Sequence, residues 1–222
     1  TPKTMPSFVG HRFFILHKPF GYLSQFVCEL KKKKLLGELY DFPPGTMAIG
    51  RLDEDSEGLL LLTTSGIMSE RVRSPLIDKE YLVQLDGAIT PEAVDRLRNG
   101  VTIGIRNRKY LTQPCKVEIP ETIPLFPPRT KSIRSDRHGP TSWISIVLNE
   151  GKYRQIRKMT AAAGFPTLRL FRVRIGHLHL GDLKAGEVRE ADETVFSFPG
   201  NYDGGSPVDL SNEIGPDYSN IP

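Results

Sequence analysis

Apolar residues come in short β-prone runs separated by turn residues. Residues 12–16 read RFFIL and break at His17-Lys18-Pro19-Phe20-Gly21, a strand followed by a Pro/Gly turn. Residues 35–40 suit one or two helical turns, stopped by Asp41-Phe42-Pro43-Pro44-Gly45. Residues 47–51 lead into an acidic loop and then a strand at 58–63 that is apolar at consecutive positions, as a strand buried on both faces should be. Ser65 starts a short helix running to about Val72, and residues 81–85 are again β-rich. Thr90-Pro91-Glu92 supplies a cap, a first-turn proline and a first-turn acid for a helix ending at Asn99-Gly100. Residues 118–140 are Pro-rich, basic and without periodicity, which predicts a long loop. A strand at 143–148, a helix at 154–163 closed by Gly164 and Pro166, and a strand at 167–175 alternating with arginines complete the body.

Strands and helices mix without strict βαβ alternation, so the pattern predicts an α+β fold rather than a doubly wound parallel sheet. The 222 residues allow one large domain or two small ones sharing an interface. Residues 1–10 read as a flexible segment, 11–199 as the folded body, and 200–222, rich in Gly, Pro, Asn, Asp and Ser, as a disordered acidic tail. No apolar run approaches the roughly 18 residues that span a bilayer. Cys28 and Cys115 are too few for a disulfide framework and point to a reducing, cytoplasmic setting, or to an organelle if a transit peptide has been removed. His177 and His179 alternate on one strand face but lack the further ligands of a zinc site, so no metal is expected.

The formal charge is +4, yet the last 22 residues hold four acids and no Lys or Arg, so the rest of the chain stands at +8. Its basic residues cluster at Lys31 to Lys34, at Arg129, Lys131, Arg134 and Arg137, at Lys152, Arg154, Arg157 and Lys158, and at Arg169, Arg172 and Arg174. A polyanionic partner is expected.

Residues 50–58, GRLDEDSEG, pack four acids and one arginine between two apolar segments, where binding and catalytic residues tend to sit. Spacing alone allows a solvated acidic turn, a metal loop, or a hydrolytic carboxylate pair drawn from Asp53, Glu54, Asp55 and Glu57. The longer string GRLDEDSEGLLLLTTSG resembles the active-site signature of the RsuA-type pseudouridine synthase family, Gly-Arg-Leu-Asp followed by a GLLLLT strand. Two further blocks agree in the same order: Lys79-Glu80-Tyr81-Leu82-Val83 resembles the family's Lys-x-Tyr strand, and NEGKYRQIRKM its C-terminal Gln-Ile/Val-Arg motif. The similarity runs from about Phe13 to Ala191. PTSW at 140–143 and GFPTLRL at 164–170 resemble the branch acting on large-subunit ribosomal RNA. Thr64-Ser65 stands where Asn-Asp is usual and Lys152-Tyr153 where Arg-Asn is common; no S4 RNA-binding domain is recognised.

The resemblance implies a catalytic domain of two similar lobes around a central mixed, mainly antiparallel sheet. It would isomerise a uridine of large-subunit ribosomal RNA to pseudouridine as a monomer, without cofactor. Asp53 would be the essential carboxylate, Arg157 its ion-pair partner, and Tyr81 would stack on the uracil or move its C5 proton. Ile156 would floor the base, and Arg51 would help to extrude the uridine. Lys79, Lys152, Arg154, Lys158, Arg169, Arg172 and Arg174 would hold phosphates. The competing readings are an assembly factor that binds ribosomal RNA without catalysis, and a glycoside-acting hydrolase using the acidic cluster.

Overall fold

The computed structural model describes residues 10–198 apart from 127, 130–132 and 134–137. The tail from 200 onward, residues 1–9, Lys131, Arg134 and Arg137 lie outside the described residues. Strands β1 (Phe13–Lys18), β2 (Met47–Ile49), β3 (Glu57–Thr63), β4 (Lys79–Asp86), β7 (Lys116–Glu118), β8 (Thr141–Leu148), β9 (Thr167–Ile175), β10 (Leu178–His179) and β11 (Val188–Ala191) form one sheet. Its main path runs β11-β1-β3-β9-β4-β8-β7, with β2 beside β3 and β10 beside β9. Between β4 and β7 come helix α2 (Pro91–Asn99) and a separate hairpin of β5 (Thr102–Ile105) and β6 (Arg108–Leu111). Helices α1 (Gly66–Val72) and α3 (Gln155–Ala162) follow β3 and β8. The architecture is α+β with a mixed, mainly antiparallel sheet, as expected.

Local chemistry explains the helix starts. The Ser65 hydroxyl accepts from the Met68 amide at 3.3 Å and the Thr90 hydroxyl from the Ala93 amide at 3.3 Å, each satisfying a donor that the first turn leaves unpaired. Residues 35–40 make only a 3-10 turn, Leu36–Glu38, because the proline pair stops any extension. The β5–β6 hairpin was not legible. Its turn residues Arg106 and Asn107 both hold positive φ, 45° and 63°, as a type I′ turn needs, but the Asn-Gly or Asp-Gly pair that advertises such a turn is absent. Strands β7, β10 and β11 hold three, two and four residues, too few for a period to show.

β3 is buried at every position and divides the cores by alternation. Leu60 and Leu62 pack with Phe14, Leu16 and Leu52 on one face, and Leu59 and Leu61 with Phe13, Ile175 and Phe196 on the other. A further core on β4, β8, β9, α2 and α3 includes Val83, Ile146, Leu148, Ile156, Met159 and Leu170. Tyr81 touches both this core and the Leu60 core, so it sits where the two halves of the sheet meet.

The halves are joined by β3 and β9, the parallel pair of the sheet, through Glu57 opposite Phe171 and Gly58 opposite Arg172. Gly58 has φ +104°, and a Cβ there would stand 2.3 Å from the Arg172 carbonyl oxygen. Close approach and left-handed backbone both demand glycine. Gly58→Ala is expected to lower unfolding free energy by about 3 kcal/mol or more. A urea midpoint within error of wild type would show that the join does not need the close approach.

Candidate active site

The acidic loop turns tightly between β2 and β3, the Ser56 amide donating to the Asp53 carbonyl at 3.0 Å. It is fixed from below by two side chains. Ser24 donates to the Leu52 carbonyl at 2.7 Å and accepts from the Leu52 amide at 3.0 Å. Lys18, 0% exposed, donates from Nζ to the carbonyls of Ser56 at 2.8 Å and Pro19 at 3.0 Å, with Glu54 at 3.5 Å. Burial pushes its ammonium down to about 8 against the pull of the four loop carboxylates. Lys33 caps the Glu54 carboxylate at 2.7 Å.

From above, α3 delivers two guanidinium groups. Arg154 grips Asp55 through two hydrogen bonds of 3.0 and 2.9 Å, and its Nη1 stands 3.4 Å from Asp53 Oδ2. Arg157 donates from Nη2 to the Asp55 carbonyl at 2.9 Å and the Ser56 hydroxyl at 3.3 Å, and lies 3.3 Å from Asp55 Oδ1. Arg154, and not Arg157 as expected, faces Asp53, while Arg157 is spent on Asp55 and the loop backbone. Burial alone would raise the Asp55 carboxyl, but hydrogen bonds from Arg154 and both positive charges hold it below the ordinary range. Those same bonds raise Arg154. Burial lowers Arg157 despite the charge of Asp55, and its Nε is buried with no partner among the described residues.

A cleft of about 120 Å³ opens between this network and the sheet. Tyr81, Leu148, Ile156 and Leu170 make its apolar wall, and Arg51, Asp53, Lys152, Arg154 and Arg157 its polar side. The volume is well below the roughly 300 Å³ of sites enclosing drug-sized molecules, and is on the scale of one flat ring inserted from outside. Ile156 is 5% exposed and Asp53 keeps 28% of its side chain open. The structure therefore gathers Arg51, Asp53, Tyr81, Lys152, Arg154, Ile156 and Arg157 at one place.

Four expected phosphate ligands are elsewhere. Arg169 is 6% exposed and doubly hydrogen-bonded to Glu57 at 2.9 Å, and Arg172, 3% exposed, donates to the Leu59 carbonyl at 2.8 Å. Arg174 grips Asp78 at 2.8 and 2.9 Å and Glu80 at 2.9 Å. Lys79 turns onto the Ile77 carbonyl at 2.7 Å, and burial with the Arg172 charge brings it down to about 8. Arg169 and Arg174 spend their charge on carboxylates inside the fold, as a buried guanidinium requires, while Arg172 Nη2 is buried without a partner among the described residues. Lys158 stays beside the site, its Nζ donating to the Gly104 carbonyl at 2.7 Å. Glu54, Asp55 and Glu57, the other acids a hydrolytic pair could draw on, are each paired with a cation: Lys33, the two α3 arginines and Arg169. His177 is engaged by the Val195 carbonyl at 2.9 Å, and among the described residues no group of three His, Cys, Asp or Glu side chains is placed to hold a metal.

Sequence reasoning missed Lys18, Ser24, Asp55 as the anchor of both arginines, and the link Gln155 to Glu150, 2.5 Å, which ties the start of α3 to the end of β8. Lys18 was visible only as part of a Pro/Gly turn. No local signal says that its ammonium points under a loop 36 residues away.

An acid loop facing a ring-sized apolar cleft with a basic rim is the architecture of a carboxylate enzyme acting on a base-bearing polyanion. Comparison with known proteins narrows this. The RNA pseudouridylate synthase family model matches residues 12–162. The chain is 40% identical over 187 residues to "Ribosomal large subunit pseudouridine synthase E" of Xanthomonas axonopodis pv. citri (83% of this chain, 96% of the relative). It is 39% identical over 185 residues to the protein of the same name from Vibrio parahaemolyticus (82% and 74%). A solved structure described as a crystal structure of pseudouridylate synthase superposes with a TM-score of 0.67 at 28% identity, over 84% of this chain and 73% of that one. The chain belongs to the RNA pseudouridylate synthase family.

The depressed lysines give a pH dependence with a definite sign. Between pH 8 and 10.5 the unfolded chain holds a proton on Lys18 that the folded chain has released, so folding stability rises with pH across that window. One such proton contributes at most about 1.4 kcal/mol per pH unit. Lys79 acts in the same direction. Lys18→Met is expected to be less stable at pH 7, because buried carbonyls lose their donor, and to show a flatter rise from pH 8 to 10. Equal slopes for variant and wild type in urea titrations would refute the assignment.

Proposed function

We propose that the protein isomerises a specific uridine of large-subunit ribosomal RNA to pseudouridine, with Asp53 as the essential carboxylate. The observation that carries this is Asp53 itself: partly open, on the rim of a ring-sized apolar cleft, with a guanidinium 3.4 Å away as counter-charge. The named relatives and the PTSW and GFPTLRL stretches support the large-subunit target. We take residues 11–199 as the catalytic domain. A monomer is the state the family resemblance implies, and cysteine usage favours the cytoplasm.

The reaction breaks the bond from ribose C1′ to uracil N1, turns the ring, and joins C1′ to C5; the C5 proton leaves and N1 is protonated. No electrons are gained or lost. A uridine in folded RNA must first leave its stack, at a cost of a few kcal/mol. Arg51, exposed beside the cleft, is placed to fill the vacated stack or hold a flanking phosphate. The extruded ring enters between Tyr81 and Ile156, which displace water and leave the Asp53 carboxylate to act on C1′, on C6 or on the 2′ proton. Tyr81 stacks on the ring or takes the C5 proton. Lys152 and Arg154 meet the backbone at the rim, and Lys158 lies next to them. Arg157 acts one step back, holding the loop that presents Asp53.

Asp53→Asn is expected to abolish pseudouridine formation on unmodified large-subunit RNA or assembly intermediates, mapped by carbodiimide-stop primer extension, while RNA binding changes little. Wild-type RNA binding without any new stop would favour the non-catalytic assembly factor. Affinity is also expected to fall steeply between 50 and 200 mM salt as phosphates exchange counterions for Lys and Arg; a flat response would refute the electrostatic rim.

A further inference from the structure

One side chain at the mouth of the cleft has no part in the scheme above. Tyr153 is 71% exposed, yet its neighbours Lys152 and Arg154 both line the cleft. A tyrosine left in water forgoes the burial that stabilises most aromatic side chains. Its ring is nevertheless held. Lys158 Nζ lies 5.2 Å from the ring centroid and is itself fixed by the Gly104 carbonyl at 2.7 Å. The backbone is held as well: Arg154, next in sequence, is left-handed at φ +51°, a conformation costly for a side-chain-bearing residue, and its guanidinium is locked by two hydrogen bonds to Asp55. The result is a preset aromatic plate with a cation over one face and the rest of the ring in water, one residue from the cleft.

We propose that Tyr153 determines specificity by stacking on the nucleobase adjacent to the extruded uridine. This rests on the uridine-isomerase reading of the cleft. The surroundings select the partner: Lys152 and Lys158 flank the ring as cations without a carboxylate partner among the described residues, so the occupant carries negative charge together with a flat ring, as a nucleic-acid strand does. A protein partner would call for a contiguous apolar patch, and the residues around Tyr153 are basic instead. Stacking on one neighbour makes the enzyme sensitive to whether the nucleotide beside the target is splayed out and unpaired, which the cleft does not read because it holds one ring.

The test uses wild type, Tyr153→Ala and Tyr153→Phe on an RNA that wild type modifies, and on two versions with an abasic site immediately 5′ or 3′ of the target. On intact RNA, kcat/KM of Tyr153→Ala is expected to fall about tenfold, within the range of one base–aromatic stack, through KM with kcat within about twofold; Tyr153→Phe retains full activity. On one of the abasic RNAs wild type drops to the same level and Tyr153→Ala loses nothing further. Equal activity of Tyr153→Ala and wild type on intact RNA overturns the proposal, as does an undiminished alanine effect on both abasic RNAs. A wild-type enzyme that makes no pseudouridine on any large-subunit RNA overturns the isomerase reading, and the stacking role falls with it.

Discussion

The two residue pairs of the β3–β9 join carry the rest of the molecule. Antiparallel pairs build each half of the sheet, and the two halves pair through the backbone of β3 and β9, where Gly58 admits the Arg172 carbonyl into the space a side chain would fill. Around that contact lie Lys18 opposite Gly58 on β1, Glu57 paired with Arg169 across the join, and Tyr81 opposite Arg172 on β4. The cleft is the groove left between two cores that approach but do not merge, and Tyr81 touches both.

The same join solves an electrostatic problem. Asp53, Glu54, Asp55 and Glu57 crowd four like charges into five residues, an arrangement that repels itself in isolation. Every compensating cation comes from elsewhere: Lys18 from β1, Lys33 from the following loop, Arg154 and Arg157 from the start of α3, and Arg169 from β9. Loop geometry and packing of the halves are thus coupled, since Arg154, Arg157 and Arg169 all reach the loop acids from the C-terminal part of the chain. Glu57–Arg169 is 3% and 8% exposed at its side chains, a setting in which removing one partner costs about 3 to 5 kcal/mol.

The opposite face shows why a basic sequence overstates a basic surface. Phe126, from the long loop after β7, stacks on Phe171 at 3.7 Å and lies 5.5 Å from Trp143, and Arg169 sits 4.5 Å from the Phe171 ring. Arg169 pairs with Glu57, Arg174 with Asp78 and Glu80, and Arg172 donates to the Leu59 carbonyl, so the three β9 arginines are turned to partners within the fold. At the cleft mouth the cations are Lys152, Arg154, which is held by Asp55, and Lys158, which donates to the Gly104 carbonyl.

Elements whose signals are local could be read from the chain alone. The buried run 59–62, the Ser65 and Thr90 caps, the Thr90-Pro91 helix start and the Gly164 stop each depend on side chains within a few residues of one another, and the structure places them as the pattern requires. The three motif blocks also fixed which residues would meet, since Asp53, Tyr81, Ile156 and Arg157 all line one cleft. Their pairing was set by packing in three dimensions. Arg154 rather than Arg157 faces Asp53, Lys18 lies beneath the loop rather than in a turn, and the β9 arginines point into the fold. A guanidinium reaches in any of several directions from its strand or helix, and which carboxylate it meets depends on how elements about 100 residues apart pack together.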